Sequence, residues 1–316
     1  MTRPPYRDPP VVPGAPAQSA WGLYGSDDEI GALNSLTDED VAAAATLVRT
    51  GKRFRLDLPL DEPAPPFFTR EPFRHEVFHI LDTVLDDRLD GFFPQGSTQW
   101  DALAHCGHPA HGFYNGRSAE DVRAGALGID GIARRGIAAR GVLADVAAFR
   151  AARGTPIDPR SSYAITAGEL HETLAAQRIT LRRGDVLCVR TGWLGWYLGC
   201  SRPERVEMAA RSREHSLALP GLGGGPEMAG FVWDGGVMML AADTPMVDAY
   251  PITGEFEDTM HIAVMALLGI PLGEFFVLDE LAAACARDRT YEFFFTSAPL
   301  RLRGGIGSPP NALAIK

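Results

Sequence analysis

Within eleven residues, Gln95-Gly-Ser-Thr-Gln-Trp-Asp-Ala-Leu-Ala-His105, the chain places two carboxamides, one carboxylate and one imidazole at spacings of four, two and four. A carboxylate and an imidazole delivered by one short segment are the raw material of a metal site or of a proton-transfer pair. If Gln99 and Asp101 lie on a strand, its period of two sends both side chains to one face and Trp100 to the other. Gln95 shares that parity. His105 meets Asp101 if the chain turns helical after the carboxylate. Amide oxygens are neutral, hard and weak donors, so such a wall suits Mn²⁺ or Mg²⁺ better than Zn²⁺. The equal alternative for this segment is a hydrogen-bonded polar network in a loop.

Two further groups carry polar chemistry. His105, His108 and His111 bring three of the eight histidines into seven residues. Pro109 and Gly112 favour a loop over a helix face there. These imidazoles would bind a metal or a substrate carboxylate, or simply line a polar pocket. Farther on come Asp243-Thr-Pro-Met-Val-Asp248, His261 and Glu274. Asp243 ends an apolar run, a place where strand-end side chains often face a ligand. His261 opens an apolar helix and Glu274 precedes an apolar strand at 275–278, positions where a charged group is normally paired or ligating. Trp100 and Trp193 are candidates for aromatic pocket walls, although large aromatics more often fill cores. The glycine run at 221–225 lacks the spacing of a dinucleotide fingerprint and reads as a mobile loop.

These residues need elements to hold them. The pattern predicts helical structure over 27–49 with Thr37 as an N-cap, a half-buried strand over 53–60, and a strand over 73–85 followed by a loop to 96. It predicts a helix from Ser118 to about 126, a buried strand over 141–146, and a helix opened by Thr166. Buried strands at 186–190 and 237–242 and helices at 203–216, 261–268 and 281–286 follow. Strands and helices alternate without strict order, so the fold class is α/β with a mixed central sheet. No repeat or linker divides the chain. The expectation is one domain over 21–316 behind a flexible Pro-rich arm over 1–20.

The chain has 316 residues, 46% hydrophobic and 22% charged, with a formal net charge of −10. That balance argues against a general binder of nucleic acid or anionic membrane. No apolar run reaches the ~18–20 residues of a membrane span. Cys106, Cys188, Cys200 and Cys285 form no CxxC pair and read as reduced thiols of a cytoplasmic protein.

Taken together, these segments resemble the cyclase family that includes bacterial kynurenine formamidase and isatin hydrolase. The family mark is H-x-G-T-H-x-D-x-P-x-H, and here Gln95, Gln99 and Leu103 replace its first two histidines and its proline. The downstream mark fits with Asp243-Thr-Pro-Met-Val-Asp248, His261 and 269–274. The segments 21–34, Arg190-Thr-Gly-Trp193 and 304–316 look like the larger members. The resemblance implies a swivelling β/β/α fold, often dimeric, and a small-molecule substrate. It also implies one divalent ion, Mn or Zn, held by Asp101, His261 and Glu274 and completed by Gln99, His108 or His111, with a metal-free pocket as the rival. Losing both motif histidines removes or weakens the first of the family's two metal positions.

Three functions follow as expectations. The first is a hydrolase of a cyclic or acyl amide, lactam or lactone. There a divalent ion activates water, His105 is the general base, Asp101 carries the bridging carboxylate, and Gln95 and Gln99 donate to the oxyanion. His108, His111, Trp100, Asp243 and Trp193 are its expected substrate contacts, and a homo-oligomer, dimer or tetramer, is its expected state. The second is a metal-independent cyclase, dehydratase or isomerase of a natural-product intermediate. The third is a non-catalytic small-molecule binder.

Overall fold

The most apolar runs of the chain form the middle of one large sheet. The computed structural model describes residues 3–8 and 12–316. Its strands are β1 Arg53–Arg55, β2 Arg74–Leu81, β3 Val84–Asp90, β4 Gln99–Asp101, β5 Ile137–Asp145, β6 Ala164–Ile165, β7 Asp185–Arg190, β8 Gly221–Leu222, β9 Val237–Ala242, β10 Leu272–Glu274, β11 Glu292–Ser297, β12 Gly307–Ser308 and β13 Leu313–Ile315. Nine of them form a curled mixed sheet in the order β1-β13-β11-β5-β7-β9-β10-β4-β12. The central strands β5, β7, β9 and β10 run parallel. Strands buried on both faces have no use for alternation, and every residue of β9 is buried. Antiparallel strands flank this block, and β4 lies between β10 and β12. The result is a single mixed α/β domain.

Capping signals place several helices as expected. Thr37 and Asp40 form a reciprocal capping box on the helix Asp38–Ala45. Ser118 and Asp121 do the same for Ala119–Arg123, and Thr166 caps Ala167–Ala176. Each side chain satisfies backbone N–H groups that the first turn leaves free.

Other expectations need correction. Of 53–60 only β1 is a strand; Phe54, Leu56 and Leu58 are buried but Leu60 is exposed. The region 73–85 is half of a hairpin, β2 with β3, and β3 occupies part of the expected loop. Its turn residues, Asp82 and Thr83, carry none of the glycine that usually marks a two-residue turn. The glycine run at 221–225 is no loose loop: β8 pairs with β6, and Gly221 and Leu222 are buried. The strand near Glu274 is β10, ending at Glu274 rather than beginning after it. The helix near 261 is a π-helix, His261–Ala266. The described part of the expected arm lies on the domain. Arg3 donates to the carbonyls of Val237 and Ala32 and stacks on Trp233, and the backbone N–H of Ala20 bonds the Leu267 carbonyl. Residues 1, 2 and 9–11 of that arm lie outside the described residues.

Candidate active site

The site begins with a strand register. Antiparallel pairing sets Gln99 opposite Glu274, Trp100 opposite Gly273 and Asp101 opposite Leu272. Gln99, Asp101 and Glu274 therefore share one face, and the Gln99 amide donates to Glu274 Oε2 at 2.6 Å. Its contacts to Asp101 are longer, 3.4 and 3.5 Å. Trp100 points the other way into the core, against Phe276 and Phe295. Gly273 makes that possible, because a Cβ there would sit 2.5 Å from the Trp100 ring. The indole thus wedges the two strands into the register that aligns the polar face.

Gln95 approaches from the loop before β4. Its stem crosses Gly307 of β12, where a Cβ would come within 2.7 Å of it. Its amide nitrogen then donates both hydrogens, to Asp101 Oδ1 at 2.5 Å and to His105 Nδ1 at 3.0 Å. With Nδ1 accepting, the ring hydrogen of neutral His105 lies on Nε2. Burial lowers the His105 pKa; the Asp101 carboxylate opposes this, while His261 and Arg70 add to it. His105 is neutral at pH 7, as a proton acceptor must be.

The opposite wall is ionic. Asp248 accepts from the Met260 backbone N–H at 2.6 Å and meets His261 Nδ1 at 2.6 Å. That carboxylate fixes the ring and turns Nε2 toward Glu274 Oε1, 3.5 Å away. The π-helix beginning at His261 is a wide turn of the kind frequent at functional sites. Burial alone would lower the His261 pKa, but Asp248 and Glu274 outweigh it and hold the imidazole well above its usual value. Burial and the Asp101 charge raise Glu274; His261 and Arg70 oppose them. Asp101, Gln99, Glu274 and His261 are all buried.

Potential ligand atoms of Asp101, His105 and His261 all lie within 4.8 Å of one another. Their chemistry fits a divalent cation: one carboxylate, two imidazoles, Glu274 adjacent, and a carboxylate behind His261 of the kind that orients metal-ligating histidines. Gln99 points the same way. Its Oε1 is buried without a hydrogen-bond partner. Turning the amide over would aim that oxygen at two carboxylates, which only a cation between them makes favourable.

Several expected contacts lie elsewhere. Trp100 is enclosed in the core, and Trp193 is equally buried in an aromatic cluster with Phe67, Tyr197 and Phe275. Asp243 is occupied by the Thr191 N–H and hydroxyl and the Gly192 N–H, at 2.7–2.8 Å, and ties the end of β9 to the turn after β7. Arg190 is likewise a clamp, pairing with Asp145 and Asp279. His108 and His111 pair ring to ring at 4.4 Å on a tight turn, with His111 exposed. Cys106 packs against the core and burial raises its pKa, so it stays a thiol. Two charged side chains of this region have no clear signal in the sequence. For Asp248, nothing in the spacing ties it to a histidine thirteen residues on. Arg70 sits in a proline-bounded loop with no motif around it.

The chain matches the Cyclase family model over residues 42–249. A crystal structure described as a novel cyclase superposes with a TM-score of 0.83 at 31% identity, covering 94% of this chain and 99% of that one. The chain therefore belongs to the cyclase family, and its curled mixed sheet is that family's fold. Isatin hydrolase A from Ralstonia solanacearum aligns at 20% identity with a TM-score of 0.57, covering 89% of this chain and 98% of its own. Isatin hydrolase A from Labrenzia aggregata aligns at 18% identity with a TM-score of 0.55, covering 86% and 94%. These two show the shared fold. No curated protein sequence matches significantly. Among the described residues no helix is long and apolar enough to cross a membrane.

Proposed function

We propose that this chain is a hydrolase of a cyclic or acyl amide, lactam or lactone, with one divalent ion, manganese or zinc, held by Asp101, His261 and Glu274 and completed by Gln99. The observation that carries this reading is the approach of the Asp101 and His261 ligand atoms within 4.8 Å of each other, with Glu274 beside His261 and the His105 ring close enough to both to act as base. Membership in the cyclase family and a fold shared with isatin hydrolases support it.

When bound, such an ion supplies Lewis acidity toward an acyl oxygen. The chain's own residues do the rest. Asp248 sets the angle of His261, and Gln95 sets the angle of His105. His105 takes the proton of the attacking water at Nδ1 once Gln95 gives up its hydrogen bond to that nitrogen, a step worth ~10²–10⁴-fold. His105 then returns the proton to the leaving nitrogen or oxygen. A homo-oligomer belongs to the same proposal, supported by the hairpin β2–β3, which exposes Val77, Ile80, Leu81 and Leu85.

One observation favours a second reading. The amide hydrogens of Gln95 and Gln99 already satisfy Asp101 and Glu274 without a cation. On that basis the site would be a metal-independent cyclase, dehydratase or isomerase working through Asp101 and His105. A screen of lactams, lactones and acyl amides, with and without a chelator, separates the two. Turnover lost on chelation and restored by Mn²⁺ or Zn²⁺ supports the hydrolase. Turnover that survives chelation favours the second reading, and binding without turnover would leave a small-molecule binder.

A further inference from the structure

Beside the reacting groups lies a guanidinium that no step above uses. Arg70 Nη1 is buried and has no hydrogen-bond partner. Arg70 as a whole is half-buried, and this enclosed donor is open to a ligand that supplies an acceptor. The loop that carries it is held firmly. Phe67 inserts into the aromatic cluster and packs at 5.9 Å on Phe275, the residue that follows Glu274. Phe68 adopts a left-handed backbone, φ 59°, an uncommon conformation for a bulky residue. Its N–H is secured by the Ser212 hydroxyl at 2.9 Å. The Arg70 guanidinium then lies 5.3 Å from the centre of the Phe68 ring, a cation–π distance. The loop is thus anchored at the end of β10 that carries Glu274, and the Arg70 charge opposes protonation of both His105 and Glu274.

We infer that Arg70 is a substrate-binding residue that receives the carboxylate of an anionic substrate or of the acid released by hydrolysis. This rests on the hydrolase reading for its chemistry, since opening an amide or ester in water yields a carboxylate. Such an anion would otherwise enter beside Asp101, Asp248 and Glu274 and be repelled. Guanidinium is the side chain best shaped for a carboxylate, with paired parallel donors.

Binding of benzoate and of its neutral isostere benzamide tests the assignment without requiring turnover. Titration calorimetry on the intact wild-type chain should show benzoate binding about tenfold more tightly than benzamide. Arg70→Met should abolish that preference, and Arg70→Lys should keep part of it, with melting temperature checked for each. If Arg70→Met fails to fold, Arg70→Lys alone decides: an unaltered preference overturns the inference. A wild type that binds benzoate no better than benzamide overturns it too, as does an Arg70→Met chain that keeps the preference. Because the readout is equilibrium binding, loss of the hydrolase reading through chelator-resistant chemistry would leave this result standing, and the reverse also holds.

Discussion

Around Asp101, the wall built from β10 and the π-helix is ionic, while the wall built from residues 95–99 is made of carboxamides. On the ionic side Asp248, His261 and Glu274 touch at 2.6 and 3.5 Å. On the amide side Gln95 donates to Asp101 and Gln99 to Glu274, both as neutral donors. The family mark has imidazoles at both glutamine positions. Replacing two ligands by two amides keeps the hydrogen-bond geometry and removes the strong metal donors. On the proposed reading, the difference keeps one cation position and the proton-transfer pair on this scaffold while side-chain N–H groups fill the second position.

Substitutions sharpen that contrast. His105→Ala should lower kcat by ~10²–10⁴-fold with metal content unchanged, as read by parallel assay and elemental analysis; unimpaired turnover would remove His105 from the mechanism. Asp248→Asn should weaken metal affinity or activity by ~10–100-fold, measured by competition with a chelating dye. Retention of full affinity would mean that the ionic wall does not orient a ligand. Gly273→Ala forces a methyl against Trp100 and should cost ~1–3 kcal/mol in denaturant unfolding, through the register that both walls share. An unchanged midpoint would contradict the wedge.

On the amide side, Gln95→His with Gln99→His should raise bound metal above one ion per chain. A stoichiometry that stays at one would show that the two walls differ by more than these residues. The smallest effect is in pH. A base whose pKa is depressed stays unprotonated over a wider range, and activity is lost only as pH falls through that lowered value. The acid limb of kcat/KM should therefore lie below 6.5, the ordinary histidine value. A limb above it would point to a different base.

Much of the site was legible because β-strand parity is local. Gln99 and Asp101 facing one way and Trp100 the other follows from a period of two. The convergence of His261 and Glu274 on Asp101 came from the family resemblance, since no local rule brings residues 160 and more positions apart into contact. Thr37, Ser118 and Thr166 announced their helices by capping chemistry. What stayed hidden depends on tertiary context. Asp243 and Trp193 carry ligand-like residue types yet serve the framework. Arg70 owes its place to Phe67, whose neighbours are set by a distant aromatic cluster. The hairpin β2–β3 hid behind a turn without glycine.

The central claim is that Asp101, His261 and Glu274 together hold one divalent cation. Elemental analysis of the protein purified without added metal, beside His261→Ala prepared identically, tests it most directly. The account predicts close to one equivalent of Mn or Zn in the wild type and almost none in the variant. Metal-free wild-type protein, or equal metal in both, would contradict it.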